Sequence, residues 1–365
     1  MPNLIERIDE WLLYHSPVKL TDKVFFTENL RVMIHAGLSI SEALNTLALQ
    51  SESKTFRKVI MCIKEDVEGG KLLSSGLAKF PAIFPNIFVS MVQIGEMSGT
   101  METSLDELTQ QMKKDYKLRS KVKGAMTYPI VILLAMLGIT TGMIVFVLPR
   151  LLGIFKEFGE DIQLPLATRL LIVVSDFVQN NGLLVAVMFG VLVAGIVSFS
   201  RTDVGRRVFH LGIIRSPIIG PIARKVNLAR FSRTLAGLLK TDIPIVQSLQ
   251  VTAEVVGNVH YKTALIDAGE KIKKGGTIAD SLGAHGKLFP PLVVQMTLVG
   301  ERSGTVDEML GDIADFFEAQ VDNTLNSMSS IIEPILILLL GGMVGGVALA
   351  VIQPMYTLTQ ALAES

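Results

Sequence analysis

Three stretches of the chain stay apolar for the length of a bilayer and show no polar stripe: residues 130–148, 182–199 and 335–352. A hydrocarbon core of about 30 Å needs about 20 such residues in a helix, so each stretch is predicted to span a membrane. Pro129 and Pro149 bracket the first, Asn180, Asn181 and Arg201 the second, and Glu333, Pro334, Gln353 and Pro354 the third. Residues 166–178 are interrupted by Arg169 and Asp176, which predicts an amphipathic approach to the second span. At the start, Leu4, Ile5, Ile8, Trp11 and Leu12 share one helical face, with Glu6, Arg7, Asp9 and Glu10 on the other. Those acids break the apolar run that a secretory signal requires, so this segment is expected to be retained and to pack on its own domain.

Outside the spans, apolar residues recur three and four apart (Phe26, Leu30, Met33, Ile34; Phe231, Leu235, Leu238, Leu239), and no run alternates like a strand. Gly37, Gly69-Gly70, Pro81, Pro85 and Gly99 punctuate the first such region, and Asp242, Pro244, Gly275-Gly276, Pro290 and Gly304 the second. The two regions are copies. Gly95-Glu96-Met97-Ser98-Gly99-Thr100 recurs 205 residues later as Gly300-Glu301-Arg302-Ser303-Gly304-Thr305. The same offset relates Phe26 to Phe231, Leu44 to Leu249, Phe84-Pro85 to Phe289-Pro290, Pro129 to Pro334 and Pro149 to Pro354. Around the paired glycines the register reads as slipping by one, Gly69-Gly70 against Gly275-Gly276, as a short turn insertion would allow. Thr305-Val306-Asp307-Glu308 fits a capping box and predicts a helix start there.

The predicted fold class is all-α: a polytopic membrane protein with three transmembrane helices and two homologous cytoplasmic helical-bundle domains. In order, it has an N-terminal amphipathic helix (1–20), a first bundle (21–125), a span (126–149), an external loop with the amphipathic segment (150–181) and a span (182–200). A second bundle with a basic linker (201–330), a span (331–353) and an external tail (354–365) complete it.

Composition supports the membrane class, with 49% hydrophobic and only 19% charged residues. The charges balance, 34 basic against 34 acidic, so nothing global points to nucleic acid, but their placement sets an orientation. Lys113, Lys114, Lys117, Arg119, Lys121 and Lys123 precede the first span, and Arg201, Arg206, Arg207, Arg215, Arg224, Lys225, Arg230 and Arg233 follow the second. The intervening loop has only Arg150, Lys156 and Arg169, so the N-terminus and both bundles are predicted to be cytoplasmic. Asp307, Glu308, Asp312, Asp315, Glu318 and Asp322 make the approach to the third span acidic, which weighs little in that rule. Cys62, the single cysteine, can form no internal disulfide and reads as a small core residue beside Ile60, Ile63 and Val67.

Enzymatic chemistry finds no foothold. Gly69-Gly70-Lys71 is followed by Leu72, so there is no phosphate-binding loop, and the five histidines are scattered without metal-ligand spacing. No catalytic, cofactor or metal site is expected. A small duplicated transporter subunit is the alternative class, but transporters place polar groups at the bilayer midplane and no span here carries a charge in its middle.

On the paired Gly-Glu-x-Ser-Gly-Thr motifs, Tyr128-Pro129, Pro149 with Phe155, Phe158-Gly159, Leu164-Pro165 and Thr168, Leu228 to Leu235, and Glu333-Pro334, the chain resembles the type II secretion F proteins. These form the GspF/PilC family of bacterial platform proteins. The resemblance covers the chain from about Phe25 to Tyr356. It implies a protein of the bacterial cytoplasmic (inner) membrane without catalysis of its own. Its implied partners are a hexameric assembly ATPase on the cytoplasmic side, pilin or pseudopilin subunits in the membrane and other inner-membrane assembly components. The secretion or pilus machine as a whole would then do the nucleotide chemistry through another chain.

The candidate contact residues are Gly95, Glu96, Ser98 and Gly99 with Gly300, Glu301, Ser303 and Gly304, although Gly and Ser between helices are also what a sharp turn requires. Glu333 stands one residue before Pro334 where the first copy has uncharged Tyr128, and is expected to meet the positive N-terminus of a pilin-like subunit. Pro129 and Pro334 mark where the first and third spans begin. Gly138 and Gly142, and Gly341, Gly342, Gly345 and Gly346, form small-residue faces suited to a homo-oligomer, a pilin helix or packing among the chain's own spans.

Overall fold

The computed structural model describes residues 18–147, 177, 181–217 and 219–364. The predicted helix at 1–20, apart from its last residues, and nearly all of the loop at 150–181 lie outside them. The described residues form helices and turns, with no strand. The first copy comprises α1 (Leu20–His35), α2 (Ile40–Gln50), α3 (Lys54–Glu68), α4 (Leu73–Ala78), α5 (Asn86–Ser98) and α6 (Met101–Gly142), which ends in a π-helical turn, Met143–Val147. Helices α7 (Gly182–Arg201) and α8 (Asp203–Arg215) follow. The second copy comprises α9 (Gly220–Lys240), α10 (Ile245–Val255), α11 (Val259–Lys273), α12 (Ile278–Gly283), α13 (Pro291–Ser303) and α14 (Val306–Glu364). The boundaries of α2 to α5 return in α10 to α13 at an offset of 205, as do the start of α6 in α14 and the end of α1 in α9.

The register does not slip at the glycines. The left-handed residues are Gly70 (φ +83°) and Gly275 (φ +91°), which are 205 apart, so Gly69 answers to Lys274 and Lys71 to Gly276. Only the position just past a helix end needs the positive φ, and the second glycine falls on opposite sides of it in the two copies. Helices α1 and α9 close alike. The amide of Leu38 returns to the Met33 carbonyl at 3.0 Å, and that of Ile243 to Leu238 at 3.2 Å. The left-handed residue is Gly37 (φ +84°) in one copy but Asp242 (φ +59°) in the other. A side chain in this region costs about 1 kcal/mol or more, and Asp is among the few residues that tolerate it. Asp242→Gly is therefore expected to stabilise the protein by up to about 1 kcal/mol, read as a higher melting temperature. A lower one would mean that the carboxylate contributes something that this geometry does not show.

The chain divides into two compact units. The first holds residues 1–120 and 207–323, and the second residues 121–206 and 324–365. In the first unit, each copy has its own aromatic centre. Phe26 meets Phe56 and Phe84 with ring centroids 5.6 and 5.7 Å apart, and Phe84 meets Phe88 at 4.9 Å. At the equivalent positions Phe289 meets Phe231 at 5.1 Å and Tyr261 at 5.6 Å. Tyr261 stands where the first copy has Phe56, and its buried hydroxyl is satisfied by donating to the Leu288 carbonyl at 3.0 Å. Burial pushes that phenol far above its ordinary pKa.

The copies also share a core, because Leu238, Ile243 and Val251 join the buried cluster of the first copy. Ion pairs hold each bundle to its closing helix. Lys113 on α6 pairs with Glu28 on α1 at 2.6 Å, and Glu318 on α14 pairs with Arg233 on α9 at 3.0 Å. These are equivalent positions with the charges exchanged. Several cations read as markers of orientation are thus engaged in pairs: Lys114 with Asp315 and Glu318, Arg119 with Asp115, and Arg230 with Asp115. Asp315 and Glu318, the partners of Lys114, belong to the acidic approach. Cys62 is exposed on α3, so the expectation of a core cysteine is corrected; Ile60 and Ile63 face inward and Cys62 falls on the opposite side.

In the second unit many large apolar residues face outward, although Leu325 and Leu336 are buried. Leu134 is 62% and Leu338 74% exposed, and Val187, Met188 and Val191 of α7 are exposed as well. Helices α6 and α14 are long and apolar enough to cross a membrane. Helix α7 adds a third apolar helix of 20 residues. Neither proline starts a helix: Pro129 lies inside α6 and Pro334 inside α14, and α14 continues past Pro354.

Candidate functional site

The repeated motif forms the turn between α5 and α6, and again between α13 and α14. Each of its residues has a local task. Gly99 (φ +73°) and Gly304 (φ +77°) end their helices in the left-handed conformation. The Thr305 amide returns to the Gly300 carbonyl at 2.9 Å. Ser98 Oγ donates to the Ile94 carbonyl at 2.7 Å and Ser303 Oγ to the Val299 carbonyl at 2.9 Å. Each hydroxyl also meets the threonine of its motif, Ser98 with Thr100 at 2.6 Å and Ser303 with Thr305 at 2.7 Å. Helix α14 starts at Val306, as the sequence predicts.

Gly95 and Gly300 let the hairpin close. A Cβ at 95 would lie 2.7 Å from Ser104 Oγ and 3.0 Å from Met101 Cα, and one at 300 would lie 2.9 Å from Val306 Cα. There is room for hydrogen only.

The glutamates reach backward in sequence. Glu96 accepts the backbone N–H of Leu73 at 2.6 Å and of Ser74 at 3.1 Å, and the Ser74 hydroxyl at 2.9 Å. Glu301 accepts the N–H of Ile278 at 2.5 Å and of Ala279 at 2.9 Å. These amides open α4 and α12, six-residue helices too short to be stable alone. A carboxylate there satisfies amides that have no intrahelical partner and complements the positive helix end. Sequence reasoning missed this role, because the acceptor and its donors are 22 or 23 residues apart.

The motif residues therefore come together in each copy as a folding device, and among the described residues no group of His, Cys, Asp and Glu is placed to hold a metal ion. The motif's outward atoms are few: Met97, Ser98, Gly99 and Thr100 are exposed beside one turn, and Arg302, Ser303 and Gly304 beside the other. Glu333 lies elsewhere, exposed on α14. The glycine faces are not used for packing among the described residues: a Cβ at Gly138, Gly142, Gly341, Gly342, Gly345 or Gly346 would meet nothing within 4 Å.

Comparison with known proteins gives the same duplicated architecture. Residues 26–149 and 231–354 each match the family described as Type II secretion system (T2SS), protein F, again 205 residues apart. The chain is 38% identical over 344 residues to the type IV pilus assembly protein PilC of Myxococcus xanthus, covering 93% of this chain and 81% of that protein. It is 35% identical to the protein of the same name from Thermus thermophilus, covering 92% and 82%. With the type II secretion system protein F of Pseudomonas aeruginosa it shares 32% identity, covering 96% and 85%. A duplicated helical bundle closed by capped hairpins, matched twice in one register and by relatives along nearly its whole length, makes this chain a member of the type II secretion system protein F family.

Proposed function

We propose that the chain is a cytoplasmic-membrane platform of a type II secretion or type IV pilus machine, coupling a separate hexameric assembly ATPase to the assembly of pilin-like subunits. The observation that carries this reading is the duplication itself. Two bundles of one design, joined by a shared core, each lead into a long apolar helix, and the relatives that match over most of their length are named for those machines. In this reading α7 is a third span, both bundles lie in the cytoplasm, and Glu333 stands at the cytoplasmic end of its span to receive the positive N-terminus of an incoming subunit. A carboxylate near the membrane boundary costs far less than the about 2.5–3.5 kcal/mol of one at the centre, so that position is tolerable.

The test is co-isolation from membranes. Wild type should bring down the ATPase and pilin-like subunits, whereas Glu333→Ala should keep the ATPase and lose the subunits. A purified chain that captures neither and moves a solute across liposomes would replace this reading with a transporter. Topology is checked separately in a Cys62→Ser background. Glu52→Cys and Lys262→Cys should label only from the cytoplasmic side, and Glu160→Cys only from outside; labelling of position 262 from outside would reject the orientation.

A further inference from the structure

The contacts between the two copies in the first unit run in one direction. The first copy contributes α5 and the start of α6, and the second contributes α9, α10 and, through Asp315 and Glu318 against Lys114, α14. Asn86 Nδ2 donates to Glu254 Oε2 at 2.5 Å, Lys240 pairs with Glu107, and Arg230 pairs with Asp115 at 3.1 Å. Gly237 lies beside the Gln111 side chain, which donates to Thr234 at 3.0 Å. Copies related by a two-fold axis would repeat each pair with the roles exchanged. They do not: Leu49, the first-copy equivalent of Glu254, is 73% exposed, and Phe316, the second-copy equivalent of Gln111, is 44% exposed. The interface is heterologous, so each copy owns one face of each kind. Within one chain, one face of each kind is used and one of each is left over.

The leftover faces match each other. Shifting each internal pair by 205 residues gives the pair that would form between one chain's second copy and the next chain's first copy. Asn86 with Glu254 becomes Pro291 with Leu49, and Gln111 over Gly237 becomes Phe316 over Val32. The first pair and the Gly237 contact turn apolar on both sides, whereas Gln111 with Thr234 becomes Phe316 with Asn29, and Lys114 with Glu318 becomes Ala319 with Lys113. Glu107 with Lys240 becomes Asp312 with His35, which also meets Glu102 of its own chain at 2.7 Å. Asp115 with Arg230 becomes Gln320 with Phe25, so charge disappears from both partners together. Phe25, Val32, Leu49 and Phe316 are all large apolar side chains left exposed in the single chain. Faces meant for water have no reason to change in concert, whereas an interface core should be apolar and free of unpaired charge.

We propose that these two faces bind each other, so that a second copy of this chain docks head to tail, its first copy against the α13–α14 face of its neighbour, through a repeat of the contact already made inside each chain. A contact of this type closes into a ring when its rotation allows and otherwise propagates. It occupies the α1–α2 side of one bundle and the α13–α14 side of the other, and needs none of the glycine faces of the apolar helices.

The directionality makes the proposal testable in membranes. Full-length chains in a Cys62→Ser background would carry either Leu49→Cys or Pro291→Cys, both at exposed positions, and be treated with a short bis-maleimide cross-linker. Chains carrying one substitution alone should stay uncross-linked, and co-expression of the two should give a covalent dimer. Cross-linking of Leu49→Cys chains to themselves would show a two-fold contact and overturn the proposal, as would the absence of a dimer on co-expression. A charge test gives an independent reading. In a Glu102→Gln background, which removes the acid that His35 meets inside its own chain, His35→Asp should reduce the co-expressed dimer several-fold by facing Asp312 with a second acid, and His35→Asp with Asp312→Lys should restore it. Loss without restoration would count against the assigned register.

Discussion

Valine at Gly95 or Gly300 should open the hairpin that the glycine closes and cost the first unit about 2–3 kcal/mol, in the upper part of the range for overpacking a filled site. The atoms in the way are the reason. At position 95 a Cβ would be 2.8 Å from Ser104 Cβ and 3.0 Å from Met101 Cα, and at 300 it would be 3.1 Å from Met309 Cγ as well as against Val306 Cα. Backbone atoms cannot rotate aside, so the two helices must separate, and separation exposes Met101 and Leu105, which are buried beneath the first turn. Hydrogen exchange in the full-length chain reads the effect directly, as faster exchange across α5 and the first turns of α6. Gly138→Val is the control, since nothing lies within 4 Å of its Cβ. Native exchange in Gly95→Val would show that the close approach is not required.

Glu96→Ala should cost about 2–3 kcal/mol, and Glu301→Ala about half as much. Hydrogen bonds to a charged acceptor contribute about 1.5–3 kcal/mol each, less where water can replace the partner, as at these half-buried carboxylates. The inequality comes from the residue before each short helix. Thr277 caps α12 itself, its side chain accepting the Asp280 N–H at 3.0 Å, whereas Leu72 before α4 has no side-chain acceptor. Glu96→Gln should fall between, keeping one acceptor without the charge. Exchange at the Leu73 and Ser74 amides measures the loss. If these substitutions instead abolished capture of the ATPase while leaving exchange and melting unchanged, the glutamates would be contact residues and their capping role incidental.

The duplication was legible because one register holds along the chain, so Phe26 with Phe231 and Phe84 with Phe289 announce the same core position twice. The helix ends were legible through their glycines, except at the paired glycines, where matching glycine to glycine reads a slip of one that the left-handed conformations of Gly70 and Gly275 correct. The glutamate caps were not legible, because an amide donor is carried by almost every residue and nothing in Leu73 or Ile278 marks it as the partner. Nor were the ion pairs of Lys113, Lys114 and Arg230: counting charges beside apolar segments is blind to carboxylates that folding brings near. Cys62 was misplaced for a simpler reason. Its neighbours Ile60 and Ile63 are core residues, but a helix turns Cys62 by about 200° from the first and 100° from the second.

A chain that contains one bundle twice faces a hazard during synthesis, since the closing helix of either copy has two near-identical places to dock. The exchanged pair, Glu28 with Lys113 and Arg233 with Glu318, discriminates between them. If α14 took the place of α6 against α1, Glu318 would face Glu28; if α6 replaced α14 against α9, Lys113 would face Arg233. Two like charges at 4 Å cost only about 1 kcal/mol in water, but the error replaces attraction with repulsion at both sites together. The reversal thus labels each closing helix for its own bundle, so that a mutual swap is disfavoured by charge alone.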